Sequence, residues 1–283
     1  MTSDATGRSG LDHGKASLAR VYNYYLRGKD WSSLDEETAQ AVIRSAPDVP
    51  EAARENFRFA GRAAAWAVAE HQIRQVVDIG VGIVNDLPLP SVETCVLEVD
   101  PGATVLAFDN DEVVLAHARA LRRGYGGVLR GDVTDLDGIF KHPDAVGLID
   151  MAEPLVVILA AVLHFVPDAA AVMVGLRERL APGSVVVLSH VTSTQTSERR
   201  VAGMTKAYDD KAVSPIFFRS QEEIRAPADG WDIVAPPGLV DVQRWSPDGT
   251  YVGPLYDTVR VLGMAAVLPG HQQEHVRAPG GAR

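Results

Sequence analysis

"VVDIGVG", residues 76–82, decides how this chain is read. Two β-branched residues lead into an acid, and the acid leads into two glycines separated by one residue. Such a stretch is either a strand running into a tight ligand-binding turn or an ordinary strand end. The flanking sequence separates the two. From residue 75 onward, short runs rich in Val, Ile and Leu (75–79, 104–108, 127–130, 154–161 and 184–189) alternate with helical patterns such as "DEVVLAHARALRR" (111–123) and "DAAAVMVGLRERL" (168–180). That alternation predicts right-handed β-α-β units and a parallel sheet covered on both faces. "LVVILAAVL" (155–163) is apolar at every position, as a strand buried on both sides should be. The first strand of such a sheet is 75–79, which puts the two glycines at the crevice where ligands bind.

Residues 16–70 read differently. Ser17 is an N-cap before "LARVYNYYL", and Gly28 lies just past its end. A second helix is expected over 34–45, stopping before Pro47. A third, over 51–70, sets Phe57, Ala60, Ala64 and Ala67 on one face. After residue 190 the sequence predicts a helix over 193–211 and a short helix within "SPIFFRSQEEI" (214–224). Two strands, around 231–240 and 257–268, then form an antiparallel pair at the sheet edge. The expected organisation is a tail (1–14), a helical cap (15–70), an α/β domain (71–268) and a second tail (269–283).

Composition narrows the function. Apolar residues make up 46% of the 283, enough for a sizeable core without disulfides. The net charge of −10 argues against a nucleic-acid partner, because such proteins carry a basic footprint. Cys95 is the single cysteine, so no intrachain disulfide and no Cys-based zinc site can form. No cluster of His and carboxylates has metal-ligand spacing. "MTSDATGRSGLDHGK" (1–15) lacks the apolar core of a signal peptide, and "PLVVILAAVL" (154–163) is too short to span a bilayer. A cytoplasmic protein with no membrane partner is expected, and a homodimer is one assembly the sequence permits.

The acids at the strand ends choose the ligand. A nicotinamide dinucleotide site wants a third glycine near residue 85, where this chain has Asn85. Asp78 would repel the pyrophosphate of such a cofactor. It suits an ammonium group, which S-adenosylmethionine has. Asp109, at the end of the second strand, can accept both ribose hydroxyls. Asp132, after the third, can accept from the adenine amino group while the Val133 N–H donates to a ring nitrogen. Each acid alone also reads as a turn residue or helix cap, Asp111 above all as the cap of the following helix.

The chain resembles the actinobacterial family of S-adenosylmethionine-dependent methyltransferases once grouped as a domain of unknown function. The matching stretches are "ARVYNYYLRGKD" (19–30), "PDVPEAARENFRF" (47–59), "VVDIGVG", "FDNDEVVLAHARAL" (108–121), "GDVTD" (131–135), "AVLHFVPD" (161–168), "LAPGSVVVLSH" (180–190) and "VQRWSPDG" (242–249). The first of these is the least generic. The resemblance implies a Rossmann-like class I methyltransferase fold, with a mostly parallel seven-stranded sheet ending in an antiparallel edge strand. It also implies S-adenosylmethionine as cofactor and a small-molecule acceptor. This chain reads "GVGIVN" (80–85) where the family turn resembles Gly-Thr-Gly-Leu-Pro-Thr, and "SVET" (91–94) where the family has Asn-x-His-Glu. A pseudoenzyme that keeps the cofactor site, or uses it for other chemistry, is therefore the alternative. An NAD(P)-dependent reductase is the less favoured one.

The expected cofactor-binding set is Tyr22, Asn23, Asp30, Asp78, Gly80, Gly82, Asp109, Asn110, Asp132, Val133, Leu163 and His164. Methyl transfer needs donor and acceptor in line, water excluded and, for some acceptors, a base. His164, ending the fourth strand, reads as a residue packed on the cofactor, as a general base or as a metal ligand. His190, ending the fifth, reads as structural or acceptor-facing. Tyr22, Tyr24 and Tyr25 with Asn23 and Asp30 read as core packing or as a lid over the cofactor. Phe217 and Phe218 suit an apolar acceptor.

Overall fold

The computed structural model describes residues 14–84, 87–120, 128–254 and 256–270. Both expected tails, apart from residues 14, 269 and 270, lie outside these, as do Asn85 and residues 121–123 of the helix expected over 111–123. Three helices come first: α1 (Leu18–Tyr25), α2 (Ser33–Ser45) and α3 (Val49–His71). Then follow β1 (Gln75–Ile79), α4 (Val92–Val99), β2 (Thr104–Asp109), α5 (Glu112–Ala120), β3 (Leu129–Arg130), α6 (Leu136–Phe140) and β4 (Val156–Ala160). The remaining elements are α7 (Ala169–Arg179), β5 (Val185–Thr192), α8 (Glu198–Lys211), α9 (Gln221–Arg225), β6 (Asp232–Ile233), β7 (Val240–Asp241) and β8 (Arg260–Val267).

The sheet runs β3-β2-β1-β4-β5-β8-β6, with β7 also paired to β8. β1 to β5 are parallel and β8 is antiparallel to β5. Chain order reverses between β1 and β4, so the switch point falls beside β1, where the two glycines lie. Successive strand residues point to opposite faces. Val76, Val156, Ile158, Val185 and Val187 enter a core shared with α1, α2 and α3. Val77, Ile79, Val157, Leu159, Val186 and Leu188 enter a second core shared with α6 and α7. This two-sided burial is why β4 and β5 read as unbroken apolar runs.

Three features differ from expectation. The sheet has eight strands and not seven, because the predicted strand over 231–240 is interrupted by Pro236 and Pro237. Prolines offer no N–H to a ladder, so only the two-residue ends pair with β8. One short helix was not foreseen: α6, capped by Asp135. Its apolar pattern is too brief to show a helical period. The helix expected within 214–224 begins only at Gln221. The preceding residues lie against the sheet end, with Arg219 bridging Thr192 and the Phe217 N–H bonded to His164 O. Among the described residues, no helix is long and apolar enough to cross a membrane.

The N-terminal helices belong to the same core and are fastened by polar bonds. Asp35, fully buried, accepts from Ser17 N and Ser32 N (2.9 and 2.8 Å) and pairs with Arg20 Nε at 2.9 Å. Backbone bonds from Ala16 N to Lys211 O, and from Val213 N to Ala16 O, pin the start of α1 to the end of α8. Asp35→Ala should cost about 2–4 kcal/mol in urea unfolding, because it strands a partly buried guanidinium and two amides. A loss below about 1 kcal/mol would show that this acid is dispensable.

Candidate functional site

β1 ends at a turn that only glycine can make. Gly80 has φ +77°, and a Cβ there would stand 2.5 Å from Val162 Cγ2. The turn folds back onto β2: Gly80 N donates to Phe108 O at 2.7 Å, and Gly82 N donates to Asp109 Oδ2 at 2.9 Å. The other oxygen of Asp109 accepts from Asp111 N at 2.9 Å. Burial raises the Asp109 carboxyl above its usual value, against the pull of the Asp111 and Gly82 amides. Each of its oxygens keeps a second lone pair for a ligand.

Asp78 is buried in the cavity wall, and no hydrogen-bond donor among the described residues reaches its carboxylate. Burial, and then the nearby charge of Asp109, push its pKa up to about 7. A buried acid short of donors beside a second acid is a place for a cation. Asp132 is more exposed. Burial works against its ionisation, but hydrogen bonds from Thr134 and Asn110 outweigh this and lower its pKa. Asn110 Nδ2 lies 2.9 Å from Asp132 Oδ2, while Thr134 N and Oγ1 occupy Oδ1.

These groups line one side of a cavity of about 680 Å³, a common size for a small-ligand site. Asp78, Gly80, Gly82, Asp109, Asn110, Asp132 and Val133 all face it, as do Tyr22 of α1 and His164. Four expected residues do not line it: Asn23, Asp30, Leu163 and His190. Asn23, buried, instead knots the "NYYLRGKD" segment (23–30). Its Oδ1 accepts from Asp30 N (3.0 Å) and its Nδ2 reaches Ile83 O (3.4 Å). A Cβ on Gly28 would strike it at 2.3 Å. Asn23 thus ties α1 to the turn after β1. Asp30 lies 3.9 Å from His117 Nδ1. Leu163 packs into the core beneath α6 and α7.

His190 is clamped. Arg219 Nη1 donates to its Nε2 (2.7 Å) and to Leu163 O (2.9 Å), and Nη2 donates to Val166 O and Pro167 O. A guanidinium only donates, so Nε2 must accept and Nδ1–H donates to Val191 O at 2.6 Å. Burial and the Arg219 charge hold the His190 pKa down at about 4. His164 sits beside it, with ring centroids 5.4 Å apart. Burial, then His190 and Arg219, hold its pKa well below the usual histidine value, and its Nδ1 meets no partner among the described residues. Both imidazoles are therefore neutral at physiological pH.

Sequence reasoning missed three contributors. Ser17 Oγ donates to Asp111 Oδ2 at 2.5 Å, joining α1 to the loop after β2. Arg219 shapes the rim that bears His164. Asn56 of α3 lines the cavity. Its sequence signal was present: it stands four residues before Ala60, a polar residue on an otherwise apolar helix face. Phe218 lines the cavity, whereas Phe217 does not.

Comparison with known proteins gives a family and a fold. The family described as "S-adenosyl methyltransferase" matches residues 4–268. A putative methyltransferase from Thermobifida fusca superposes with a TM-score of 0.81 at 27% identity, covering 94% of this chain and 100% of that one. A DUF574 family protein from Streptomyces avermitilis gives 0.81 at 29% identity, covering 90% and 98%. A plantazolicin methyltransferase solved with S-adenosylhomocysteine shares the fold at 8% identity and a TM-score of 0.51, covering 89% and 96%. The search of curated proteins found no match.

The raised Asp78 pKa sets a pH dependence. A ligand ammonium needs the ionised carboxylate. Affinity for S-adenosylhomocysteine should therefore rise about tenfold from pH 6 to pH 8 and level off above the value near 7. Calorimetry on Asp78→Asn should give weaker, pH-independent binding. An unaltered pH profile in the variant would remove Asp78 from the ammonium site.

Proposed function

The chain belongs to the S-adenosyl methyltransferase family, and on that premise we propose that it methylates a small molecule held in the cavity beneath α1. Its methyl donor is S-adenosylmethionine, which when bound supplies an electrophilic methyl group on a sulfonium. The observation that carries the cofactor placement is Asp78, a buried carboxylate beside the Gly80 turn that meets no donor among the described residues. It fits an ammonium and would repel a dinucleotide pyrophosphate. Asp109 would hold the ribose hydroxyls. Asp132 and the Val133 N–H would meet the adenine edge, with Asn110 steadying Asp132. A small acceptor is supported by the enclosure of the cavity under α1, α3 and α8. The acidic balance of the chain disfavours a nucleic-acid substrate.

The roles of the histidines follow from their environments. His190 acts as a positioning residue: with Arg219 it fixes the turn Leu163–Phe165, on which His164 faces the cavity. His164, kept neutral, serves to pack the reacting groups together and exclude water. A base whose conjugate acid is so disfavoured takes up a proton poorly, and alignment alone supplies much of the rate for a donor as reactive as a sulfonium. The lid function passes to Tyr22 and Ser17, while Asn23 and Asp30 brace the segment from behind.

Turnover against a metabolite extract with labelled S-adenosylmethionine tests the activity and finds the acceptor. His164→Gln should weaken S-adenosylhomocysteine binding about 3- to 10-fold and leave the pH profile of kcat flat between pH 6 and 8. General-base catalysis would instead appear as a loss of kcat of about 10²–10⁴-fold with unchanged binding. It would also give the wild type a fall in kcat on the acid side of neutrality that the variant lacks.

A further inference from the structure

The cavity has two chemically distinct sides. Its charged lining comes from Lys15, three residues before α1, from Arg20 of α1, and from the strand ends β1 to β3 and the start of α5. No charged side chain of α3, α8 or β8 faces it. There the wall is apolar and partly aromatic, including Phe57 and Ala60 of α3, Met204 and Tyr208 of α8, Phe218, and Val261 of β8. An ionised acceptor would lose its hydration against this wall with no partner to replace it. Rings packed edge to face against such side chains would gain.

Besides the Tyr208 hydroxyl and Ser214, the apolar side carries the carboxamide of Asn56. Asn56 is only 2% exposed and lines the cavity. Its Nδ2 donates to Tyr22 Oη at 2.8 Å, and Tyr22 Oη in turn donates to Ala53 O at 3.0 Å. The chain of bonds fixes the amide. A carbonyl cannot donate, so the Tyr22 proton goes to Ala53, and Tyr22 must accept from the Asn56 amino group. Oδ1 is thereby left as the acceptor, and it has no partner among the described residues. A buried carbonyl held in this way, with nothing bonded to it, costs free energy that a ligand donor would recover.

We propose that the methyl acceptor is an uncharged, ring-bearing molecule anchored by one N–H or O–H donor to Asn56 Oδ1. This rests on the small-molecule methyltransferase reading above and specifies the acceptor half of that site. Tyr22 is a positioning residue here: it keeps the carboxamide turned with its oxygen free. Specificity arises from both parts, since the apolar wall rejects ions and the lone carbonyl rejects ring compounds without a donor.

The full chain, saturated with S-adenosylhomocysteine, is titrated calorimetrically with 2-naphthol, 2-methoxynaphthalene and 2-naphthoate. These probes share one ring system and differ in donor and charge. 2-Naphthol should bind best, 2-methoxynaphthalene about 3- to 10-fold more weakly, and 2-naphthoate at least about tenfold more weakly. Asn56→Leu should make the first two equal. Tyr22→Phe, which frees the carboxamide to turn, should shrink their difference below about twofold while keeping the ring site. If Asn56→Leu does not fold, the wild-type series and Tyr22→Phe still decide. Equal binding of 2-naphthol and 2-methoxynaphthalene by the wild type, tighter binding of 2-naphthoate, or no heat from any probe in the saturated protein would overturn the proposal. Failure of S-adenosylhomocysteine itself to bind would instead overturn the reading beneath it.

Discussion

The Asp109 carboxylate is the fastening on which the site depends. One oxygen takes the Gly82 amide and the other the Asp111 amide, so a single side chain locks the turn after β1 to the loop after β2. Phe108 O adds two more bonds, from Gly80 N and Val81 N. Everything above the sheet is then hung from this junction. Ser17 bonds to Asp111, and Asn23 bonds to Ile83, so α1 is tied to both strand ends that it covers. Helix α1 is thus built into the sheet's carboxyl edge and shares its geometry.

Holding two acids so close has a cost that a cationic ligand relieves. Asp78 keeps its proton up to about pH 7, whereas in an unfolded chain it would lose it near 3.8. The native state therefore binds the extra proton across that window, and stability contributed by the protonated acid declines as pH rises from about 3.8 to about 7. Above that value the ionised, buried carboxylate meets no donor among the described residues. The ligand ammonium proposed for this place would supply charge and bonds together. The histidines obey the opposite logic. Arg219 and burial keep His190 and His164 neutral, so the far side of the cavity presents no competing charge. In the proposed site, cation attraction would fall at the strand ends and the apolar wall would face whatever lies beyond the sulfur.

Much of this was legible in the sequence, because the strongest signals come from burial on both faces of a parallel sheet. The runs at β1, β2, β4 and β5, the three leading helices and the acids after successive strands are all periodic or positional features. What escaped detection depends on long-range pairing. The strand expected over 231–240 looked continuous because Ile233, Val234, Leu239 and Val240 are strand formers, but two intervening prolines deny it a ladder. Asn23 and Asp30 lie in the most distinctive segment of the chain, yet their polar atoms serve that segment's own knot and not the cavity. The sequence put His190 at a strand end, as a site residue would be, but β5 runs on to Thr192, and only the position of Arg219, 29 residues away, shows that both its nitrogens are committed. Asn56 was masked in sequence by the charged residues Arg54, Glu55 and Arg58 around it, although it lies on the helix face that carries Ala52 and Ala60.

The measurement that bears most directly on this account is a crystal structure of the chain with S-adenosylhomocysteine. The account predicts the amino-acid ammonium against Asp78, the ribose hydroxyls on Asp109, and the adenine edge between Asp132 and the Val133 amide. A cofactor bound in the reverse sense, or an ammonium turned away from Asp78 toward solvent, would contradict it.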